Sequence, residues 1–171
     1  IYGLPHQTPE RFERTVDAII DISPERIALF NYAHVPWLKP HQNYFKKEWL
    51  PTAETKLRII KLAIDKFTDA GYVFIGMDHF AKPDDELTLA QQDRKLYRNF
   101  QGYSPRAGLD LYALGMTSIS QSQDVYAQNV KEITSYYKRI SEGRLPVYKG
   151  YELNQDDQIR RTTRLHAIVG Q

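Results

Sequence analysis

Arg26-Ile27-Ala28-Leu29-Phe30-Asn31-Tyr32 is a short run rich enough in apolar residues to form a buried strand. What surrounds it decides the fold. Upstream, Thr8-Pro9-Glu10 has the chemistry of a helix start: threonine caps, proline suits the first helical position, and Glu10 complements the positive end of the helix dipole. Phe12, Val16 and Ile19 follow at helical spacing. Ser23-Pro24 stops the helix after Ile22, because proline disfavours helical geometry in the residue before it. Before that helix, Ile1-Tyr2-Gly3-Leu4-Pro5 reads as the end of another strand running into a turn. The order so far is strand, helix, strand.

Downstream lies a connection over 33–51 with three prolines, two tryptophans, His34 and His41. Loops this long are uncommon unless they serve or cover a site. Thr52 then caps a second helix with Leu57, Ile60, Ile64 and Phe67 as its apolar stripe and Gly71 at its end. Tyr72-Val73-Phe74-Ile75-Gly76-Met77 is the next strand, with Asp78-His79 at its tip and a partly helical charged segment over 82–98 beyond it. Residues 99–103 read as a turn and 109–120 as an apolar strand region around Gly115. A third long helix is expected over 125–142, striped by Val130, Ile133, Tyr137 and Ile140. Then come an extended 147–153 and a helix over 156–169 opened by Asn154. This alternation predicts an α/β fold with a parallel sheet, open or barrel-like. In such sheets ligands bind at the carboxyl ends of strands, so 31–34, 78–81 and 115–120 should converge on one face.

The 171 residues carry 23 Lys+Arg against 21 Asp+Glu, a net charge of +2, and no cysteine. Balanced charge gives no global footprint for nucleic acid. No apolar run reaches the roughly 18 residues of a membrane span, and no leader pattern precedes the first helix. The expectation is a cytoplasmic chain with neither nucleic-acid nor membrane partners. Lacking cysteine, it holds no disulfide, thiol nucleophile or thiolate-bound metal of its own. Opening on Ile1 and closing on Gly170-Gln171 suggests a piece of a longer protein.

Asp78-His79 pairs the two side-chain types most used for proton transfer and metal binding. A hydrogen bond that anchors the loop competes with a substrate or cofactor contact, and strand alternation lets only one of the two face a site. His34 follows a strand end and invites the same two readings. No histidines stand at His-x-x-x-His spacing, and the common phosphate-loop, dinucleotide and Gly-x-Ser-x-Gly signatures are absent. Tyr136-Tyr137-Lys138-Arg139 could hold a single strand by stacking, but on a helix it reads as an ordinary last turn with basic residues at the dipole's negative end. Arg160, Arg161 and Arg164 form a basic face able to pair with carboxylates, though a solvated face has the same pattern.

Six runs, taken in order, carry a resemblance. They are Ile1-Tyr2-Gly3-Leu4-Pro5 with Gln7-Thr8, Phe30-Asn31-Tyr32-Ala33-His34, Gly76-Met77-Asp78-His79-Phe80-Ala81, Asp84-Asp85-Glu86-Leu87, Arg98-Asn99-Phe100-Gln101-Gly102-Tyr103 and Asp156-Asp157-Gln158-Ile159-Arg160-Arg161. Together they resemble the oxygen-independent coproporphyrinogen III oxidases, radical S-adenosylmethionine enzymes of haem biosynthesis. The resemblance implies that 1–145 is the second half of an incomplete TIM-like (β/α) barrel and 146–171 the start of a mostly helical C-terminal domain. It implies oxidative decarboxylation of two propionates of coproporphyrinogen III to vinyl groups by a 5′-deoxyadenosyl radical, giving protoporphyrinogen IX. The cofactors would be S-adenosylmethionine and a [4Fe-4S] cluster, with an electron donor and acceptor, in a monomeric parent. Family contacts to S-adenosylmethionine fall here on Ala33 and Ile119; His79, Gln101, Arg160 and Arg161 are candidates for the substrate. The cluster's three cysteines would lie upstream, leaving these residues inert alone. The alternative is a haem-trafficking paralogue that binds haem without decarboxylating anything.

Overall fold

Thr8 caps the first helix as its chemistry requires. Its Oγ1 accepts from Arg11 N at 3.3 Å, opening α1 (Pro9–Ile22), and Ser23, in the left-handed region at φ 54°, closes it with N–H to Ile19 O. The computed structural model describes residues 1–99, 102–106 and 108–161. The chain divides into two units, Ile1–Gln92 and Asp93–Gln171.

In the first unit, α1 leads to β1 (Arg26–Ala28), two short 3-10 turns (Pro40–Tyr44 and Lys47–Trp49), α2 (Ala53–Asp69), β2 (Val73–Gly76), β3 (His79–Ala81) and α3 (Glu86–Gln92). Thr52 caps α2 through Thr55 N at 3.1 Å. Phe12, Val16, Leu29, Ile59, Ala63, Phe67, Tyr72 and Phe80 form one buried cluster between the helices and the sheet. Its aromatic rings meet closely: Phe67 is 5.1 Å from Phe80 and 5.9 Å from Tyr72, within the range of favourable edge and tilted packing. The expected stripe of α2 holds at Phe67, buried, and at Ile60 and Ile64, which pack against the core, but is centred slightly differently. Ile59, Ala63 and Phe67, four residues apart, face the core, while Leu57 lies on the far side and is exposed. Small Ala63 lets α1 approach closely enough for Lys66 to reach Glu13 at 3.0 Å and Asp17 at 2.6 Å.

The sheet departs from the all-parallel expectation. Tyr2 pairs in parallel with Asn31 across α1, as a βα unit should, but β3 folds back antiparallel and lies between β1 and β2. The cause is a tight reversal after β2: Gly76 at φ 143° and Met77 at φ 49° turn the chain back at once. The run expected to end at Asp78-His79 is therefore a hairpin. A second close approach depends on Gly3, at φ 85°, where a Cβ would stand 2.7 Å from Asn31 Oδ1.

The second unit contains two antiparallel sheets, β4 (Tyr97–Asn99) with β5 (Gly102–Ser104), and the three-stranded β6 (Ile119–Gln121), β7 (Val125–Asn129) and β8 (Val147–Glu152). The helix expected over 125–142 is half strand. Residues 125–129 pair on both sides as β7, and only α4 (Ile133–Ser141) is helical. As the central strand, β7 pairs along both edges, so its backbone groups find partners on either side, which outweighs a weak helical pattern. The apolar strand expected over 109–120 is mostly irregular, with β6 at its end and Leu111 bridged to Gln121. Val130 is buried, but Ile133, Tyr137 and Ile140 of the same expected stripe are exposed. β8 bears out the extended 147–153 and pairs with β7 across position 145. Residues 155–161 are helical, opened by reciprocal bonds between Asn154 and Asp157, whereas 162–169 of the expected last helix lie outside the described residues.

Candidate functional site

The carboxyl ends of β1 and β2 meet at His79. In the register of the sheet it stands opposite Ala28, the last residue of β1, on one side and Gly76, the last of β2, on the other. Because β1 and β2 run in the same direction, this is the end of an α/β sheet where ligands gather. The backbone there is tied down: Leu29 N donates to Asp78 O at 2.7 Å. Asp78 Oδ1 lies 2.5 Å from His79 Nδ1, and both side chains are partly buried. The His79 and Phe30 rings meet edge to face, with centroids 6.1 Å apart and planes at 88°. The two side chains of the Asp78-His79 pair thus bond to each other at the sheet end.

The next turn of chain carries Ala33. Tyr32 is held to Tyr2 through its backbone N–H at 2.7 Å, and Ala33 follows as an exposed small residue. Its carbonyl accepts from Gln42 Nε2 at 3.1 Å, while Gln42 Oε1 accepts from Val35 N at 2.5 Å. Gln42 is buried and acts as a clamp that fixes 33–35. It satisfies backbone groups that the irregular chain cannot pair with itself. Sequence reading missed it, since one glutamine in a polar connection carries no signal. His34 lies 3.5 Å from Tyr32 Oη through Nδ1, a weak contact on the same stretch.

Ile119 belongs to the second unit. It is half-buried at the start of β6, opposite Gln128. The turn before it holds Gly115 at φ 98° and Thr117 at φ 62°, a strained position for a β-branched residue. Buried Asn129 secures this turn, donating from Nδ2 to Gly115 O at 2.9 Å and Ser118 Oγ at 3.1 Å. Tyr136 Oη accepts from Gly115 N at 3.0 Å, so that member of the basic and aromatic stretch has a structural task. Asn129 too went unnoticed in the sequence; its partners lie more than ten residues away.

Of the substrate candidates, His79 lies in the first unit, as Ala33 does. The two arginines lie in the second unit. Arg160 pairs with Asp156 at 2.7 Å and is well exposed. Arg161 Nη1 donates to Ser122 O at 2.9 Å and Gln123 O at 3.1 Å, and its guanidinium lies 5.8 Å from the centre of the Tyr126 ring. Those bonds fasten the terminal helical turn to the β6–β7 connection. Gln101 lies outside the described residues; its neighbours Asn99 and Gly102 are joined by Gly102 N to Asn99 Oδ1 at 3.2 Å.

Among the described residues no group of three or more His, Asp or Glu side chains is placed to hold a metal ion. With no cysteine either, this chain offers no ligand set for an iron-sulfur cluster. No helix among the described residues is long and apolar enough to cross a membrane.

No family model matches the chain. An oxygen-independent coproporphyrinogen III oxidase of Synechocystis sp. is 52% identical over 162 residues, covering 95% of this chain and 35% of that protein. The chain is homologous to a segment of the oxygen-independent coproporphyrinogen III oxidases. The corresponding protein of Escherichia coli is 46% identical over 161 residues, 94% of this chain and 35% of its own length. A solved structure of the coproporphyrinogen III oxidase of Escherichia coli, a radical SAM enzyme, superposes with a TM-score of 0.90 at 44% identity. That match covers 98% of this chain and 39% of the other, so the chain spans about a third of the length of these oxidase relatives.

Proposed function

We propose that this chain is part of an oxygen-independent coproporphyrinogen III oxidase, an oxidoreductase of haem biosynthesis that decarboxylates two propionates of coproporphyrinogen III to vinyl groups. The observation that carries this reading is 52% identity to a protein of that name over 95% of the chain. In the same reading, residues 1–145 supply the second half of an incomplete β/α barrel and 146–171 begin a mostly helical domain. The protein is cytoplasmic and monomeric.

S-adenosylmethionine and a [4Fe-4S] cluster, when bound, supply the radical that removes a hydrogen from the propionate. The cluster does not fit this chain, which has no thiolate to hold it, and the 171 residues are inert alone. The ends that this chain offers to S-adenosylmethionine are Ala33 and Ile119. Both stand beside backbone fixed by a buried amide, Gln42 in one case and Asn129 in the other. A small residue and a half-buried apolar one on rigid backbone suit the close packing of a purine. His79, Gln101, Arg160 and Arg161 are assigned to the tetrapyrrole, with Arg161 contributing only guanidinium protons other than those on Ser122 and Gln123.

The deciding experiment is an anaerobic assay of the full-length protein for carbon dioxide release from coproporphyrinogen III. Release with formation of two vinyl groups is the expected result. Haem binding without release would place the protein with the haem-trafficking relatives and overturn the proposal.

A further inference from the structure

Hydrogen bonds, and not apolar burial, account for the place of Gln42. It is buried in the 3-10 turn Pro40–Tyr44, while the four residues around it in that turn are exposed. Both ends of its amide are in use: Nε2 donates to Ala33 O at 3.1 Å and Oε1 accepts from Val35 N at 2.5 Å. The backbone closes the same loop, since Leu38 N and Lys39 N each donate to Val35 O at 2.9 Å and Gln42 N donates to Lys39 O at 2.8 Å. On the other side of Ala33, Tyr32 N donates to Tyr2 O at 2.7 Å. Ala33 is therefore fixed from both directions while its own side chain is exposed. Holding an exposed alanine still buries nothing apolar. It does lower the cost of binding, because backbone ordered beforehand need not be ordered by the ligand.

We propose that Gln42 is a positioning residue for S-adenosylmethionine: its amide keeps the backbone over 33–35 in the conformation in which Ala33 receives the purine. The assignment rests on the function proposed above and deepens it. An amide suits the position because the two backbone groups ask for opposite partners, a donor for the Ala33 carbonyl and an acceptor for the Val35 N–H. Ionised glutamate offers acceptors alone, and methionine fills a similar space while making neither bond.

Equilibrium binding of S-adenosylmethionine to the full-length protein with its cluster in place, measured anaerobically, tests the assignment, with coproporphyrinogen III as the comparison ligand. If loss of the amide leaves the competent conformer populated about one-tenth of the time, affinity falls by that factor, so Gln42→Met is expected to weaken S-adenosylmethionine binding about 10-fold. Gln42→Glu, which sets a carboxylate against the Ala33 carbonyl, is expected to lose at least as much. Affinity for coproporphyrinogen III is expected to hold in both. The loss is one of population, so the KM for S-adenosylmethionine rises while turnover recovers at saturation. Amide exchange gives a readout without ligand: the Val35 N–H is protected in the unaltered protein before S-adenosylmethionine is added, and loses that protection in Gln42→Met while α2 keeps its own.

Unchanged S-adenosylmethionine affinity in a Gln42→Met protein with Val35 deprotected would overturn the assignment, leaving the clamp a purely structural role. Equal weakening for both ligands, or a fall in turnover that saturation does not restore, would overturn it as well. Protection of Val35 that arises only on adding S-adenosylmethionine would do so without any variant. Failure of the unaltered protein to bind S-adenosylmethionine is a different result, which removes the function reading and this assignment with it.

Discussion

The two units are stabilised in different ways. Ile1–Gln92 has an aromatic core, with Phe67 and Phe80 almost wholly buried among aliphatic neighbours and two helices packed over the sheet. Asp93–Gln171 buries few large side chains among its described residues. Its turn over 113–118 is held by the amide of Asn129 and the hydroxyls of Ser118 and Tyr136. Apolar burial is non-directional and tolerates small shifts, whereas a hydrogen-bonded turn places its backbone more exactly and fails when one donor is lost. The first unit is a scaffold with the Asp78-His79 pair at its sheet end; the second specifies one irregular turn through polar bonds.

Four substitutions test that contrast in the protein that carries this chain, read as local amide-exchange protection so that each unit reports separately. The largest effect is expected from Phe67→Ala. Removing a fully buried ring costs about 3–5 kcal/mol, and protection should collapse across α1, α2 and the β1-β3-β2 sheet. Confinement of the loss to α2 would mean the cluster is not one core. Asn129→Ala should cost about 2 kcal/mol, because the carbonyl of Gly115 and neighbouring acceptors lose a buried partner. It should deprotect Thr117 and Gly115 and leave Phe67 and its neighbours untouched.

Asp85→Ala comes third. Asp85 Oδ1 accepts from Leu87 N at 2.8 Å at the start of α3, and its Oδ2 accepts from Arg26 Nε at 2.8 Å. Loss of the cap costs about 1 kcal/mol. Burial works to raise the Asp85 pKa, but the bonds from Arg26 and Leu87 overcome it and hold the carboxyl below its ordinary value. A depressed pKa gives stability that is present above the unfolded-state value and lost as pH falls through the folded one. Acid titration of α3 protection below the usual aspartate range should therefore show a step that Asp85→Ala lacks. Arg160→Ala should be smallest, under about 0.5 kcal/mol, since its pair with Asp156 is exposed. A larger change would show that the pair belongs to a network.

Legibility in the sequence followed the range of the interactions. Helix α1 was readable to the residue because Thr8, Pro9 and Ser23-Pro24 act locally. The start of α2 was readable for the same reason, but its buried face only in part: Leu57 and Ile59 are equally apolar, and which one is covered depends on where α1 lies. Val125 to Asn129 looked helical beside the true helix, since pairing to β6 and β8 leaves no trace in local periodicity. Of the proposed site residues, Asp78 and His79 were visible as chemistry and Ala33 and Ile119 through the family resemblance. Gln42 and Asn129 were visible as neither.

The residues by themselves determined the helix ends, the alternation of helix and strand in the first unit, the absence of any thiolate ligand, and the family to which this stretch is homologous. Each is carried by side-chain chemistry or by order along the chain. Tertiary structure alone decided that β3 inserts antiparallel between β1 and β2, that His79 therefore stands at the carboxyl ends of both, and that two buried amides, Gln42 in the first unit and Asn129 in the second, each fix an irregular stretch of backbone. Those outcomes depend on hydrogen bonds and packing between residues far apart in sequence, and a local pattern does not encode which distant partner satisfies a backbone group.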